Sequence, residues 1–549
     1  MGKLGSIATA ARRKASDKAF EMKVLRESGI LGMHRPDKSL KVVSAFLRWG
    51  ASPALGITTA AIHHPDETAL IDERGSLSFE EVHRRSNALA HSFKEMGIGY
   101  GDGIGIMCRN HRGFVEATLA AAKLGASALY LNTMFAGPQL VEVTRRERPK
   151  ILVCDEEFTE LLGEVDEKVE RVVGWTDGGA AGPTIDSLIA AGDESSLKPP
   201  PDKPRFVILT SGTTGTPKGA QRSSPDGLFA LAALIDRIPF RSRETMMIAA
   251  PLFHSWGFLH FILSLPTSST IVLRRRFDPE KTLRAVQEHR AQVLAAIPVM
   301  VQRILRLPEE TLSSYDLPSL RITSLSGSAL PGELAIEWMD RFGDTIYNLY
   351  GSTEVAYATV ATPEELRAAP GTAGRPPRGT VVRLYDDEGR EVRPGEVGRI
   401  FVGNEMSFEG YTGGGGKEVI DGLLSSGDVG HLDEAGRLFV DGRDDEMIVS
   451  GGENVFPREV EDLLADHEAV ADVAVIGVED EEFGQRLKAF VVVAEAIAVS
   501  EEDLKAHVKS NLASYKTPRE VVFMEELPRN ATGKVLKRQL RERETQKSA

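Results

Sequence analysis

The chain reads as an α/β protein. Expected are parallel-sheet β-α-β layers, then a β-rich subdomain, then a small mobile α+β domain. Three observations predict this. From about Asp66, short apolar runs alternate with helical patterns, and repeated β-α-β units require parallel strands with helices on their faces. From Gly395 to Arg443 the pattern turns strand-rich, and after Arg443 helices and strands restart on a smaller scale. The 549 residues, 42% hydrophobic and 27% charged, suffice for more than one core. The expected divisions are a basic segment over 1–50, a large domain over 51–444 and a small one over 445–549.

In the first fifty residues, 11 Lys and Arg face 4 Asp and Glu, a net +7 that leaves −21 for the remainder of a chain totalling −14. Leu40, Val43, Phe46 and Leu47 fall at helical spacing, with Lys38, Lys41 and Arg48 around them. Such a segment suits either an anionic bilayer surface or packing on its own domain. Next, Ser78-Phe-Glu-Glu81 forms a capping box, and Val82, Leu89, Phe93 and Met96 mark one helical face until Gly97 stops it. Strands are expected at Ile104 to Cys108, Ala128 to Leu131 and Ile151 to Cys154. Helices are expected at Phe114 to Leu124 and around Leu140 to Arg146. Gly178 to Pro201, rich in Gly, Pro, Asp and Ser, reads as a loop.

The acidic total argues against nucleic-acid binding. Cys108 and Cys154 lie in apolar stretches without metal-type spacing, which implies a reducing compartment and no zinc site. No apolar run approaches the roughly 20 residues of a membrane span, and no secretory signal is visible. The expectation is a cytoplasmic protein, membrane-associated only if the basic segment meets lipid. A homodimer stays open.

The chemistry concentrates in a few stretches. Ile208 to Ala220 packs the hydroxyls of Thr210, Ser211, Thr213, Thr214 and Thr216 together with Gly212, Gly215, Gly219 and Lys218. Backbone amides freed by glycine, hydroxyl donors and one ammonium suit phosphate. Pro217 and Gly219 exclude the P-loop pattern, which needs glycine and then Ser or Thr around the lysine. Ala250 to Phe258 sets His254 among Phe253, Trp256 and Phe258. Ser326 to Pro331 is a small-residue turn containing Gly327, Ser328 and Ala329, open enough for a flat base. Tyr347 to Val355 offers an aromatic face in Tyr350, a hydroxyl in Thr353 and a carboxylate in Glu354 for Mg²⁺, around Gly351. Asp428 and Arg443 suit the paired hydroxyls of a ribose. Lys534 stands on a Thr-Gly turn near the C-terminus.

Taken together, these stretches resemble the acyl-adenylate-forming superfamily of acyl-CoA synthetases, peptide-synthetase adenylation domains and firefly luciferase. Six motifs stand in the family's order from about Pro65 to Leu540. The resemblance implies ATP, Mg²⁺ and coenzyme A as cofactors and a small carboxylic acid as substrate. It implies that Thr210, Ser211, Gly212, Thr213, Thr214, Gly215 and Lys218 hold the phosphates, with Thr353 on the α-phosphate and Glu354 on the metal. Gly327, Ser328 and Ala329 would line the adenine and acyl wall, with Tyr350 and Gly351 at the base and Asp428 and Arg443 at the ribose. His254, Trp256 and Phe258 would border the acid, and Lys534 would be the catalytic lysine, with Thr210, His254 and Glu354 beside it. Asp445 would be the hinge, and Gly451 and Gly452 would frame the pantetheine tunnel. Two departures are Ser426, where threonine is usual, and His431, where an aromatic is common. His254 replaces the aspartate of amino-acid-activating relatives, which implies a plain acid. A fatty acid leads; an aryl acid, a carrier-protein acceptor, an inactive relative and a luciferase-type oxygenase are the alternatives.

Overall fold

The structure is a computed structural model and describes residues 2–32, 36–135, 137–202, 204–210, 218–222, 227–352, 354–406, 408–411, 416–446, 448–450, 453–480, 484–494, 497–512, 516–530 and 533–548. Among these, the strands form four sheets. In the eight-stranded sheet, Thr245–Ile248, Thr270–Leu273, Val293–Ala296, Ile322–Leu325 and Ile346–Tyr350 run parallel, from Thr270–Leu273 through Thr245–Ile248 to Ile346–Tyr350. A seven-stranded sheet has Ser127–Tyr130 at its centre, and the adjacent Gly103–Met107 pairs in parallel with it and with Ile151–Cys154. The strands Phe206–Thr210 and Lys218–Arg222 pair antiparallel in that sheet, Thr210 opposite Lys218. One large core joins the inner faces of both sheets through Phe114, Ala121, Phe261, Leu294 and Trp338, all buried.

The β-rich part is a five-stranded sheet containing Val381–Tyr385, Gly398–Gly403, Leu423–Leu432 and Leu438–Arg443. A short 3₁₀ turn, Asp444–Glu446, follows. The last sheet pairs Val470–Asp480 with Gly484–Val493 and, in parallel, Glu520–Met524 with Gly484–Val493. Pro457–Ala465 and Glu501–Asn511 cover it through Val460, Leu464, Leu504 and Val508. The sequence fold class is therefore the observed one: parallel layers, a β-rich part and a small α+β C-terminal unit.

The Ser78/Glu81 capping box is present, and the predicted helix 114–124 starts slightly earlier, at Arg112. One expectation needs correction. The stretch 178–201 is no plain loop: Ile185–Ala191 is a helix, capped reciprocally by Thr184 and Ser187, with Ile185 and Ile189 buried. Its seven residues are too few for the helical period to stand out from polar flanks. The basic segment forms two helices, Gly2–Glu27 and Pro36–Trp49. The first is clamped to the body by Phe20 against Phe229, ring centroids 5.9 Å apart, and by Arg378, 4.5 Å over Phe20 and 3.1 Å from Asp17. No helix among the described residues is long and apolar enough to cross a membrane.

The fold also brings Cys108, His111 and Asp155 together in the core. The His111 Nδ1 accepts from the Gly113 amide at 3.0 Å, so its Nε2–H donates to Asp155 at 2.7 Å. Both ring nitrogens are engaged, which makes this a structural bridge between strand ends.

Candidate active site

The parallel strands of the large sheet end on one side, and the chemistry-bearing turns follow their carboxyl ends, where ligands of open α/β sheets bind. Thr245–Ile248 leads to His254, Val293–Ala296 to Ile297 and Val299, Ile322–Leu325 to Gly327, Ser328 and Ala329, and Ile346–Tyr350 to Gly351 and Glu354. All of these line one cavity of about 2230 Å³. Trp256, Phe258, Asp428, Arg443 and Lys534 line it too. Residues separated by nearly three hundred positions are thus brought together.

After Thr245–Ile248, His254 precedes the helix Ser255–Ser264, and its carbonyl accepts from the Phe258 amide at 2.9 Å. Its Nε2 is buried without a hydrogen-bond partner among the described residues. Burial pulls the imidazole down to about 4, so it is neutral at physiological pH. Trp256 is more than lining. Its indole N–H donates to the Ala296 carbonyl at 3.0 Å and the Ser324 carbonyl at 3.3 Å, bracing the ends of two adjacent strands. Phe258 packs on Tyr130 and Phe206, with centroids 4.8 and 5.4 Å away.

At the end of Ile346–Tyr350, the Tyr350 hydroxyl donates to Asp428 at 2.6 Å and lies 3.1 Å from the Ser426 hydroxyl. Arg443 lies 3.4 Å from Asp428. Burial raises the Asp428 carboxyl, opposed by Arg443, the Tyr350 hydroxyl, Lys534 and Lys417. The hydroxyl of Ser352 donates to Glu354 at 2.9 Å and accepts from the Glu354 amide at 3.2 Å, which fixes the turn. At Gly351 any Cβ would lie 2.1 Å from the Ala356 carbonyl oxygen, so only glycine closes this turn.

Lys534 is delivered by a tight turn. The Asn530 amide donates to the Lys534 carbonyl at 2.9 Å, and the Lys534 amide to the Asn530 side chain at 2.9 Å. Between them Gly533 has φ +75°, and a Cβ there would meet Val299 at 2.3 Å. The C-terminal unit is therefore docked on the large body, with Lys534 on the cavity wall. Further contacts hold this seam. Arg306 donates to the Ala471 carbonyl, and Asp466 is pushed up to about 6 by burial and by the facing Glu333 carboxylate. Within the C-terminal unit itself, Lys537 pairs with Glu461 at 2.8 Å and Glu446 at 3.2 Å.

Ser211, Gly212, Thr213, Thr214, Gly215, Thr353, Gly451 and Gly452 lie outside the described residues, and for Thr210, Lys218 and Asp445 only the backbone is described. Three wall or support residues escaped the sequence reading. Asn348 is buried on the wall with an unpartnered Oδ1 among the described residues; a polar residue inside a buried strand was the available signal. Lys417 lines the cavity directly after the glycine run 413–416, which masked it. His260 stacks edge-on against Trp256 at 4.6 Å and donates from Nδ1 to the Trp256 carbonyl at 2.9 Å. An i, i+4 aromatic pair was its signal.

Comparison with known proteins agrees with this geometry. The AMP-binding enzyme family matches residues 57–412, and the AMP-binding enzyme C-terminal domain matches residues 459–534. A fatty acid–[acyl-carrier-protein] ligase of Streptomyces coeruleorubidus is 31% identical over 88% of this chain and 94% of its own length. A feruloyl-CoA synthase of an Amycolatopsis species is 33% identical over 87% and 96%. Among solved structures, the o-succinylbenzoate CoA synthetase of Bacillus subtilis with its acyl-adenylate bound is similar, with a TM-score of 0.77 and 28% identity over 88% of this chain and 97% of that one. The chain belongs to the AMP-binding enzyme family, within the acyl-adenylate-forming superfamily, and is an AMP-forming acid–CoA ligase by kind.

Proposed function

We propose that the enzyme activates a medium- or long-chain fatty acid. The carboxylate attacks the α-phosphate of ATP, giving acyl-AMP and releasing pyrophosphate; the thiol of coenzyme A then attacks the acyl carbon and AMP leaves. The observation that carries the fatty preference is the apolar extension of the cavity. Beyond His254 it continues along the helix Ser255–Ser264 past Phe258, Leu259, Ile262 and Leu263, with Leu231 and Leu234 also on its wall. Ten helical residues span about 15 Å, well beyond the depth of one aromatic ring. A neutral His254 at the head of this channel suits a carboxylate that must approach a phosphate without a competing fixed charge.

In this reading the Lys534 ammonium stands between the acid and the α-phosphate and balances the negative charge that builds there. Thr210, Thr213 and Lys218 hold the phosphates. Asp428 and Arg443 hold the ribose, and Tyr350 faces the base. Glu354, on the wall beside Ser352, gives the hard oxygen donor that suits Mg²⁺; the ion when bound neutralises phosphate charge. Asp445, in the turn joining the β-rich sheet to the C-terminal unit, is the pivot between the two half-reactions. The divisions at 51–444 and 445–549 follow from that pivot.

A second reading takes an aryl acid, or a carrier protein as acceptor, favoured by the feruloyl and carrier-protein relatives. One assay separates these: AMP release with acetate, octanoate, palmitate, benzoate and cinnamate, with coenzyme A present. The expected order places octanoate or palmitate above benzoate and cinnamate by roughly tenfold or more, the worth of about 1.4 kcal/mol of extra burial. Cinnamate or benzoate leading would replace the fatty reading with the aryl one. Adenylate formation without transfer to coenzyme A would point to a carrier.

A further inference from the structure

The helix Pro36–Trp49 turns its apolar stripe away from the core. Ala45 and Trp49 are buried, with Lys38 and Val42 on the same inner face, whereas Leu40, Val43, Phe46 and Leu47 are 73, 57, 54 and 80% exposed. Four large apolar side chains toward solvent on one short helix exceed the scattered exposure normal for a protein surface. The helix is anchored from behind. Lys38 donates to the His63 carbonyl at 2.8 Å, and Arg48 donates to the Leu197 carbonyl. The large cavity also reaches this place: Leu31, Val42 and Phe46 line it, with Leu55 and Gly56 of the next helix. Phe46 therefore belongs both to the exposed stripe and to the channel wall.

We propose that this stripe inserts into one leaflet of an anionic lipid bilayer, so that the acid passes from lipid into the channel beside Phe46 and Leu31. The proposal rests on the reading of the substrate as an apolar carboxylic acid. Charge favours lipid over a second copy of the chain. The first fifty residues carry +7 and the remainder −21, so an anionic surface attracts this end and repels the rest, whereas two copies meeting here would set +7 against +7. Lys41 is exposed beside the stripe, placed to reach headgroup phosphates as the apolar side chains enter. Both N-terminal helices precede residue 57, where the family match begins.

Flotation of the full-length protein with vesicles, in the absence of ATP and acid, tests this directly. The protein should rise with vesicles containing phosphatidylglycerol, far less with pure phosphatidylcholine, and less as salt is raised. The double substitution L40E/L47E, at exposed positions outside the cavity, should weaken binding by roughly tenfold or more. AMP release from the best water-soluble acid should stay at its original rate, while turnover of palmitate held in vesicles falls. Lys41→Glu, a milder second variant, should lower vesicle binding and flatten its salt dependence. The proposal is overturned if the protein stays with the unbound fraction, if L40E/L47E floats unchanged, or if light scattering shows a dimer that the same pair dissolves. Because flotation needs no substrate, its failure and a failure of the fatty-acid reading in the AMP-release panel are seen separately.

Discussion

The ammonium of Lys534 reaches the cavity from a different unit of the chain than the carboxylates it faces, and its charge is felt at Asp428. Lys534→Ala should slow adenylate formation by roughly 10²–10³-fold, the usual worth of one charge-stabilising group. Thiolysis of supplied acyl-AMP should continue; a matching loss in both half-reactions, followed by rapid quench, would remove the lysine from the first step. The histidines make a second prediction. Burial holds His254 and His260 down to about 4 and His83 down to about 3, against an unperturbed 6.5. Unfolded chains would take up these protons as pH drops below about 6.5 while the folded protein does not. Stability is therefore full above that pH and erodes on acidification toward about 4, by up to about 1.4 kcal/mol per pH unit for each ring. Urea midpoints measured between pH 7 and 5 should fall, and His260→Asn should flatten the slope; an unchanged slope would mean that this ring is protonated when folded. At this scale the sequence singled out residues whose type carries its own chemistry, such as Lys534, Glu354 and Asp428, which line one cavity. It was silent where burial makes the role, as with Asn348 and His260, because burial is a property of the packed whole.

Among the elements, the turn over 530–534 shows how backbone geometry places a functional group. Gly533 occupies the left-handed region and lies where a methyl group would strike Val299. Gly533→Ala should displace the turn from the body and reduce adenylation by roughly tenfold or more, with Lys534 still present, since a shift near 1 Å suffices for such losses. Adding Val299→Ala should return part of the activity by removing the collision, leaving only the backbone strain. Full activity in the single variant, by AMP release, would place the turn elsewhere during the first half-reaction. Strands were legible from sequence because both faces of parallel sheet are buried and give continuous apolar runs, as at Ile151–Cys154. The helix Gly2–Glu27 was not, because its apolar residues form no marked stripe: Val24 and Leu25 enter the core near its end, beside the contacts of Phe20, Asp17 and Arg378.

For the molecule as a whole, the proposed mechanism uses the docked arrangement for the first half-reaction and leaves it for the second. The seam sets a carboxylate pair, Asp466 facing Glu333, beside the favourable Arg306 contact, so not every contact across it is attractive. Asp445→Pro should fix φ at the pivot and trap the adenylating form. Adenylate should then form at close to the normal rate while transfer to coenzyme A falls by roughly 10²-fold, as for other lost positioning steps; normal overall turnover would move the pivot to another residue. The separate β-rich and C-terminal sheets were readable because the sequence pattern changes at about Gly395 and again after Arg443. The channel leading from His254 to Phe46 was not, since it unites residues from segments far apart in the chain.

Trp256 has a bearing on how such an enzyme can diversify. The indole on the cavity wall also ties together the ends of two strands, so trimming it to enlarge the cavity would loosen the scaffold that carries the adjacent turns. Leu231, Ile262 and Leu263, farther down the channel, carry no such duty in their aliphatic side chains. In the proposed reading, new acid preferences are therefore more accessible to evolution, and to the protein engineer, through those aliphatic positions than through the Trp256 ring.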